Sequence, residues 1–225
     1  MNNPALLIGW FAVFIFSVTL HEAAHAWVAK RGGDLTAYSA GQVSLNPIPH
    51  MRREPFGMLL LPLISLFAIG WPIGYASAPF DPVWAERHHK RAAIMALAGP
   101  VSNLLVAMGC LLIMYFGLRN GMFSPGTNLY LQLVTAADGS VLMGLSSLLS
   151  MLLFMNLLLF VLNIMPIPPL DGSGVIPLFL NARQTQRYRA IIYKPVVSMI
   201  GMLSIFMLIK YIFPPVYNVA VRILY

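Results

Sequence analysis

The chain has 225 residues, 59% of them hydrophobic and 9% charged, with a mean hydropathy of +0.77. A soluble domain of this size could not hide that much apolar surface, so the composition describes a membrane protein. The net charge of +7 sits in short connections between apolar runs, where it acts as a topology signal and an anionic-lipid contact, and it gives no support to nucleic-acid binding.

Residues 1–4 lack the basic segment of a secretory signal, so the apolar run Ala5 to Val28 reads as a retained span. It is long enough to cross about 30 Å of hydrocarbon, and it stops at Lys30-Arg31 and Gly32-Gly33. Gly41 to Asn46 (GQVSLN) is short, partly alternating and bounded by Pro47, which predicts a β-strand. Phe56 to Tyr75 is apolar but broken by Pro62, Gly70, Pro72 and Gly74. Ala92 to Leu118 and Val141 to Met165 are further spans. The exit from the latter, Pro166 to Gly174 (PIPPLDGSG), cannot continue as regular helix, because its prolines remove donors and its glycines favour turns. Pro195 to Ile212 is a last span, ended by Pro214-Pro215. The single cysteine, Cys110, lies in an apolar run, which leaves neither an internal disulfide nor a thiolate metal site.

Charge decides whether Phe56 to Tyr75 crosses. If it enters and returns, Lys30, Arg31, Arg52, Arg53, Arg87, Lys90, Arg91, Arg183, Arg187, Arg189 and Lys194 share one face, and of the 14 basic residues only Arg119, Lys210 and Arg222 face the other way. If it crosses, that bias nearly vanishes. The positive-inside rule therefore predicts a re-entrant segment, an amino terminus outside and a basic cytoplasmic face. Irregular backbone at membrane depth needs a protein or watery cavity to cover it, so a hydrated site is expected nearby.

His21-Glu22-Ala23-Ala24-His25 is an H-E-x-x-H sequence inside the first span. Imidazoles at i and i+4 lie on one helical face and can share a metal, while the adjacent Glu22 can polarise water. With Val28 at the cytoplasmic edge, His21 lies roughly 10 Å inside the membrane. Ionisable groups at that depth are expensive and usually functional. A third ligand should be acidic or histidine. Asp34, Glu54, Asp81, Glu86, Asp138, His50, His88 and His89 lie in polar connections, whereas Asp171 directly follows a proline-broken span. A turn there can aim its carboxylate into the bundle, although an Asp-Gly turn or a helix cap is the alternative use.

His21-Glu22-x-x-His25 together with Asn163-Ile-Met-Pro166-Ile-Pro168-Pro169-Leu170-Asp171-Gly172 resembles the signature of the site-2 protease family of intramembrane zinc metalloproteases, in a minimal form without a PDZ or CBS domain. Ala98-Gly99-Pro100-x-x-Asn103 is similar to another segment of that family, and Gly41 to Pro47 to its membrane-associated strand. The resemblance implies that His21, His25 and Asp171 hold one Zn²⁺, that Glu22 is the general base, and that Asn163 steadies the scissile carbonyl or its oxyanion. Asn163 has an alternative as an interhelical hydrogen bonder or turn residue. Asn103 and Gly99 read as close helix packing.

The expectation is one all-α polytopic membrane domain over 1–225: a three-span catalytic core at about 5–175, a re-entrant/β element, and a carboxy-terminal span at about 195–213. Its expected partners are membrane lipids and a transmembrane protein or peptide substrate, extended against Gln42, Val43, Ser44 and Leu45 by strand addition. The expected location is the plasma membrane, with the site toward the cytoplasm. A non-catalytic zinc-binding scaffold or transporter is the competing reading, and the intact Glu22 argues against it.

Overall fold

The computed structural model describes residues 4–128, 132–137 and 140–225; Asp138 and residues 1–3 lie outside the described residues. Helix α1 (Pro4–Gly32) ends on Lys30 and Arg31, which suit the negative carboxyl end of a helix dipole. Two short helices follow, α2 (Thr36–Ser39) and α3 (Pro47–Arg53). A π-helical turn (Phe56–Leu60) runs into α4 (Leu61–Ile69), closed by Gly70 at φ 77°. After an irregular return come α5 (Pro82–Arg87) and α6 (His89–Arg119). Strands β1 (Ser124–Asn128) and β2 (Gln132–Thr135) pair antiparallel before α7 (Val141–Ile164). Then come α8 (Asp171–Val175), a 3₁₀ turn (Ile176–Phe179), α9 (Ala182–Ile192) and α10 (Pro195–Leu224).

Among the described residues four helices, α1, α6, α7 and α10, are long and apolar enough to cross a membrane. The protein is an all-α polytopic membrane protein with a small strand pair at one end. Helix α6 packs against both α1 and α7. Their seam buries Trp10, Val13, Phe14, Met114, Leu153 and Phe154. Helix α10 instead exposes Met199, Leu203, Phe206, Met207 and Tyr211, an apolar face that lipid chains solvate and water would not.

The broken segment folds back on itself. Tyr75 N–H donates to Gly57 O at 3.1 Å, Arg53 Nε to Ser77 O at 3.1 Å, and Ser77 Oγ to Glu54 Oε1 at 2.6 Å. The two legs approach this closely because a Cβ on Gly57 would strike Tyr75 O, and one on Gly74 would strike Gly57 O. At the tip, Trp71 lies 4.4 Å from Trp10 and 4.9 Å from Phe154, ring centroid to centroid. Beyond the return, Trp84 Nε1 and Arg91 Nη1 donate to Gly32 O at 3.0 and 3.2 Å, so α6 starts beside the end of α1. The helical part, at 1.5 Å per residue, reaches only about 20 Å, short of a hydrocarbon core. The segment is thus a hairpin, the shape that a re-entrant element requires.

Two expectations need correction. Gly41 to Asn46 is a bend, and no strand forms there. Its polar side chains satisfy the backbone locally: Asn46 Oδ1 accepts from Ile48 N to cap α3, Ser44 Oγ accepts from Asn46 N, and Gln42 N reaches back to Ala37 O. These local bonds compete with a ladder and win. Helix α10 also continues through Pro214-Pro215 to Leu224. There Phe213 and Tyr217 pack on Phe154 at 5.0 and 5.3 Å, and this tertiary contact holds a helix that proline alone would break.

Candidate metal centre

Three ligand-type atoms converge near the basic end of the bundle. His21 Nε2 lies 2.9 Å from Asp171 Oδ2, His25 Nε2 lies 3.3 Å from the same oxygen, and the two Nε2 atoms are 3.0 Å apart. Helix α1 supplies both imidazoles on one face, and the Pro-rich exit of α7 turns Asp171 back toward them. His21 and His25 are buried, while the Asp171 side chain keeps 26% exposure, so the site opens on the Asp171 side.

Each histidine spends its other nitrogen on a fixed acceptor. His21 Nδ1–H donates to Asn103 Oδ1 at 2.6 Å, and His25 Nδ1–H donates to Met95 O at 2.7 Å. Neither acceptor can donate, so both neutral rings carry their proton on Nδ1 and turn the Nε2 lone pair toward the common point. Two lone pairs and a carboxylate oxygen this close repel one another, and a cation between them removes the repulsion. Four-coordinate zinc with bonds of about 2.0–2.1 Å sets its ligand atoms about 3.3 Å apart. The donor set His₂Asp and the observed spacing fit that ion. Without an ion the alternative is protonation: burial works to raise the Asp171 pKa, but imidazoles that carry a proton outweigh it and hold the carboxyl below the usual carboxylate range.

Room for an ion comes from α6. A Cβ on Gly99 would fall against Nε2 of both His25 and His21, so only glycine keeps that space open. Pro100 follows it and leaves Ala96 O without its helical donor, beside the Met95 carbonyl that His25 uses. Gly99 and Asn103, read from sequence as packing residues, therefore border the site. The partner of Asn103, His21, lies 82 residues away along the chain, and the histidines beside Gly99 are as remote, a distance no local pattern spans.

Glu22 is buried next to His21, and its side chain makes no hydrogen bond among the described residues. Asn163 is half-buried, and its Nδ2 donates to Leu159 O on its own helix at 3.1 Å. It makes no hydrogen bond to the His21, His25, Asp171 cluster. Gln42 is buried and Leu45 is 63% exposed, with Val43 and Ser44 between these extremes. The Ser44 carbonyl is taken by His50 Nε2 at 3.0 Å.

Comparison with known proteins agrees with this geometry. Residues 9–208 match peptidase family M50. A candidate zinc metalloprotease of Bacillus subtilis, YwhC, is 33% identical over 189 residues, covering 81% of this chain and 76% of that protein. Rip2, a candidate zinc metalloprotease of Mycolicibacterium smegmatis, is 31% identical over 184 residues, covering 81% of this chain and 59% of that protein. Rip2 of Mycobacterium tuberculosis is 31% identical over 183 residues with the same coverage, 81% and 59%, so the chain spans less than two thirds of the mycobacterial relatives. No solved structure gives a significant match. With the family matched over nearly its whole length and the H-E-x-x-H and Asp171 segments brought together, the chain belongs to peptidase family M50, the site-2 protease family.

Proposed function

We propose that the protein is an intramembrane zinc endopeptidase, with one Zn²⁺ per chain, acting on single-span membrane proteins or membrane-bound remnants. The observation that carries the reading is the meeting of His21 Nε2, His25 Nε2 and Asp171 Oδ2 beside buried Glu22 within an apolar bundle. The names of the relatives point to the same metal. His21, His25 and Asp171 would hold the ion. When bound, zinc supplies Lewis acidity, which makes water acidic near neutral pH and polarises a carbonyl.

The chain's own residues do the rest. Glu22 takes a proton from the attacking water on its carboxylate and delivers it to the leaving amine nitrogen. Burial keeps that carboxylate away from bulk water. Asn163 Nδ2, turned from Leu159 O, donates to the carbonyl oxygen as negative charge develops. A transmembrane substrate hides its carbonyls in i to i+4 hydrogen bonds, so it must unwind locally before hydrolysis. Substrates with Gly or Pro near the scissile bond should be cleaved faster.

The active site faces the cytoplasmic side of the plasma membrane, with the amino terminus outside. The basic residues at the Gly32, Arg53 and Arg91 end support this orientation. A zinc-binding scaffold without turnover would retain metal and have no use for Glu22. Reconstituted with a single-span substrate, wild-type protein should cleave and Glu22→Gln should not. Equal cleavage by both would overturn the proposal.

A further inference from the structure

The hydrogen bond from His21 continues beyond Asn103. Asn103 Nδ2 donates to Asn156 Oδ1 at 2.8 Å, with a longer approach to Ser17 O at 3.4 Å. Asn156 Nδ2 in turn donates to Leu152 O at 2.9 Å and to Ser17 Oγ at 2.9 Å. Asn103, Asn156 and Ser17 are each 0% exposed. The chain of bonds links α6, α7 and α1 around the first histidine.

Its direction is fixed at one end. An amide can sit either way round, and a hydroxyl can donate or accept, so the Ser17 side chain sets no polarity, while the long contact to Ser17 O acts in the same sense as Leu152 O. A backbone carbonyl only accepts. Leu152 O therefore draws Nδ2 of Asn156 toward it and leaves Oδ1 facing Asn103. Asn103 must answer with Nδ2 and present Oδ1 to His21. His21 must then carry its proton on Nδ1 and keep the Nε2 lone pair free. Reversing any member would set two donors or two acceptors face to face in a buried place, where the loss is not made up by water.

We infer that Asn156 is a positioning residue of the metal site: the Leu152 carbonyl orients its amide, and that orientation passes through Asn103 to set the tautomer of His21. The inference rests on the reading of His21 as a zinc ligand. It gives α7 two routes to the site, Asp171 at its exit and Asn156 in its middle. His25 needs no such relay, because Met95 O fixes it directly.

The test is zinc affinity, measured by competition with a chromophoric chelator on the full chain in nanodiscs. Asn156→Leu and Asn103→Leu should each weaken zinc binding roughly 10- to 100-fold, the range for groups that orient a ligand. The double variant should be no weaker than the weaker single one, because the two act in series. Ser17→Ala should stay within about threefold, since it sets no polarity. Should Asn156→Leu fail to fold, Asn156→Ala makes the same comparison with a cavity in place of a misfit. A purely structural Asn156 gives early melting with wild-type zinc affinity, or losses that multiply in the double variant, and either result overturns the inference. A wild-type protein that takes up no zinc overturns the underlying metal reading, a distinct result from a wild type and an Asn156→Leu variant that bind zinc equally.

Discussion

A Cβ placed on Gly99 would fall against Nε2 of His25, and against that of His21 as well. Glycine at this point of α6 is therefore part of the metal site. Gly99→Ala should abolish stoichiometric zinc binding while the bundle stays folded. Gly109, ten residues on in the same helix, has nothing within 4 Å of its Cβ position. Gly109→Ala should keep zinc, with the helix gaining up to about 1 kcal/mol in propensity. Metal analysis of the two purified variants makes the comparison, and zinc retained by Gly99→Ala would contradict it.

Acid should release zinc. Each imidazole must be neutral at Nε2 to hold the ion, so protons compete with it as pH falls. Burial opposes charge on Asp171, but imidazoles that have taken up a proton hold its pKa below the usual carboxylate range. The sign follows: a depressed carboxyl stays ionised above its lowered pKa and is lost only below it. Zinc and activity should therefore disappear together on acidification. Activity lost while zinc remains bound would assign the acid limb to another group.

The return of the chain, with Arg53 bonded to Ser77 O, leads us to expect Arg52 and Arg87 on one side of the membrane. Cysteine introduced at each, in a background where Cys110 is buried, should react with an impermeant reagent from the same, cytoplasmic side. Labelling from opposite sides would make Phe56 to Tyr75 a true crossing.

The tip of that hairpin is held by aromatic contacts, Trp71 with Trp10 and Phe154. Edge-on pairs of this kind contribute about 0.5–1.5 kcal/mol each beyond the area they bury. Trp71→Ala should loosen the hairpin, seen as faster proteolysis or hydrogen exchange over 56–81, with zinc affinity unchanged. Unaltered protection there would show that the close approach of Gly57 and Gly74 suffices.

What the sequence made legible was chemistry that local spacing determines. His21 and His25 share a face because they are four apart, and the prolines before Asp171 force the turn that brings it back. The spans follow from hydropathy, and the re-entrant segment from where lysine and arginine fall. What stayed hidden depends on partners far along the chain. Asn103 looks like packing until His21, 82 residues earlier, is seen against it. The GQVSLN segment alternates like a strand, yet Ser44 and Asn46 bond their own neighbourhood instead. Strand β1 reads SPGTN, a turn composition, and forms because β2 pairs with it while burying Leu133 and Val134. Pro214-Pro215 reads as a stop, and the rings of Phe213 and Tyr217 on Phe154 override it.

Zinc content and peptide hydrolysis, measured side by side in wild type, Asp171→Ala and Glu22→Gln, test the roles of these residues most directly. Wild type should bind zinc and cleave a single-span substrate. Asp171→Ala should lose the metal and the cleavage together, because two imidazoles alone hold zinc weakly. Glu22→Gln should keep the metal and lose roughly 10²–10⁴-fold in rate, the usual share of a general base. Full zinc in Asp171→Ala, or wild-type cleavage by Glu22→Gln, would contradict the assignment of these residues.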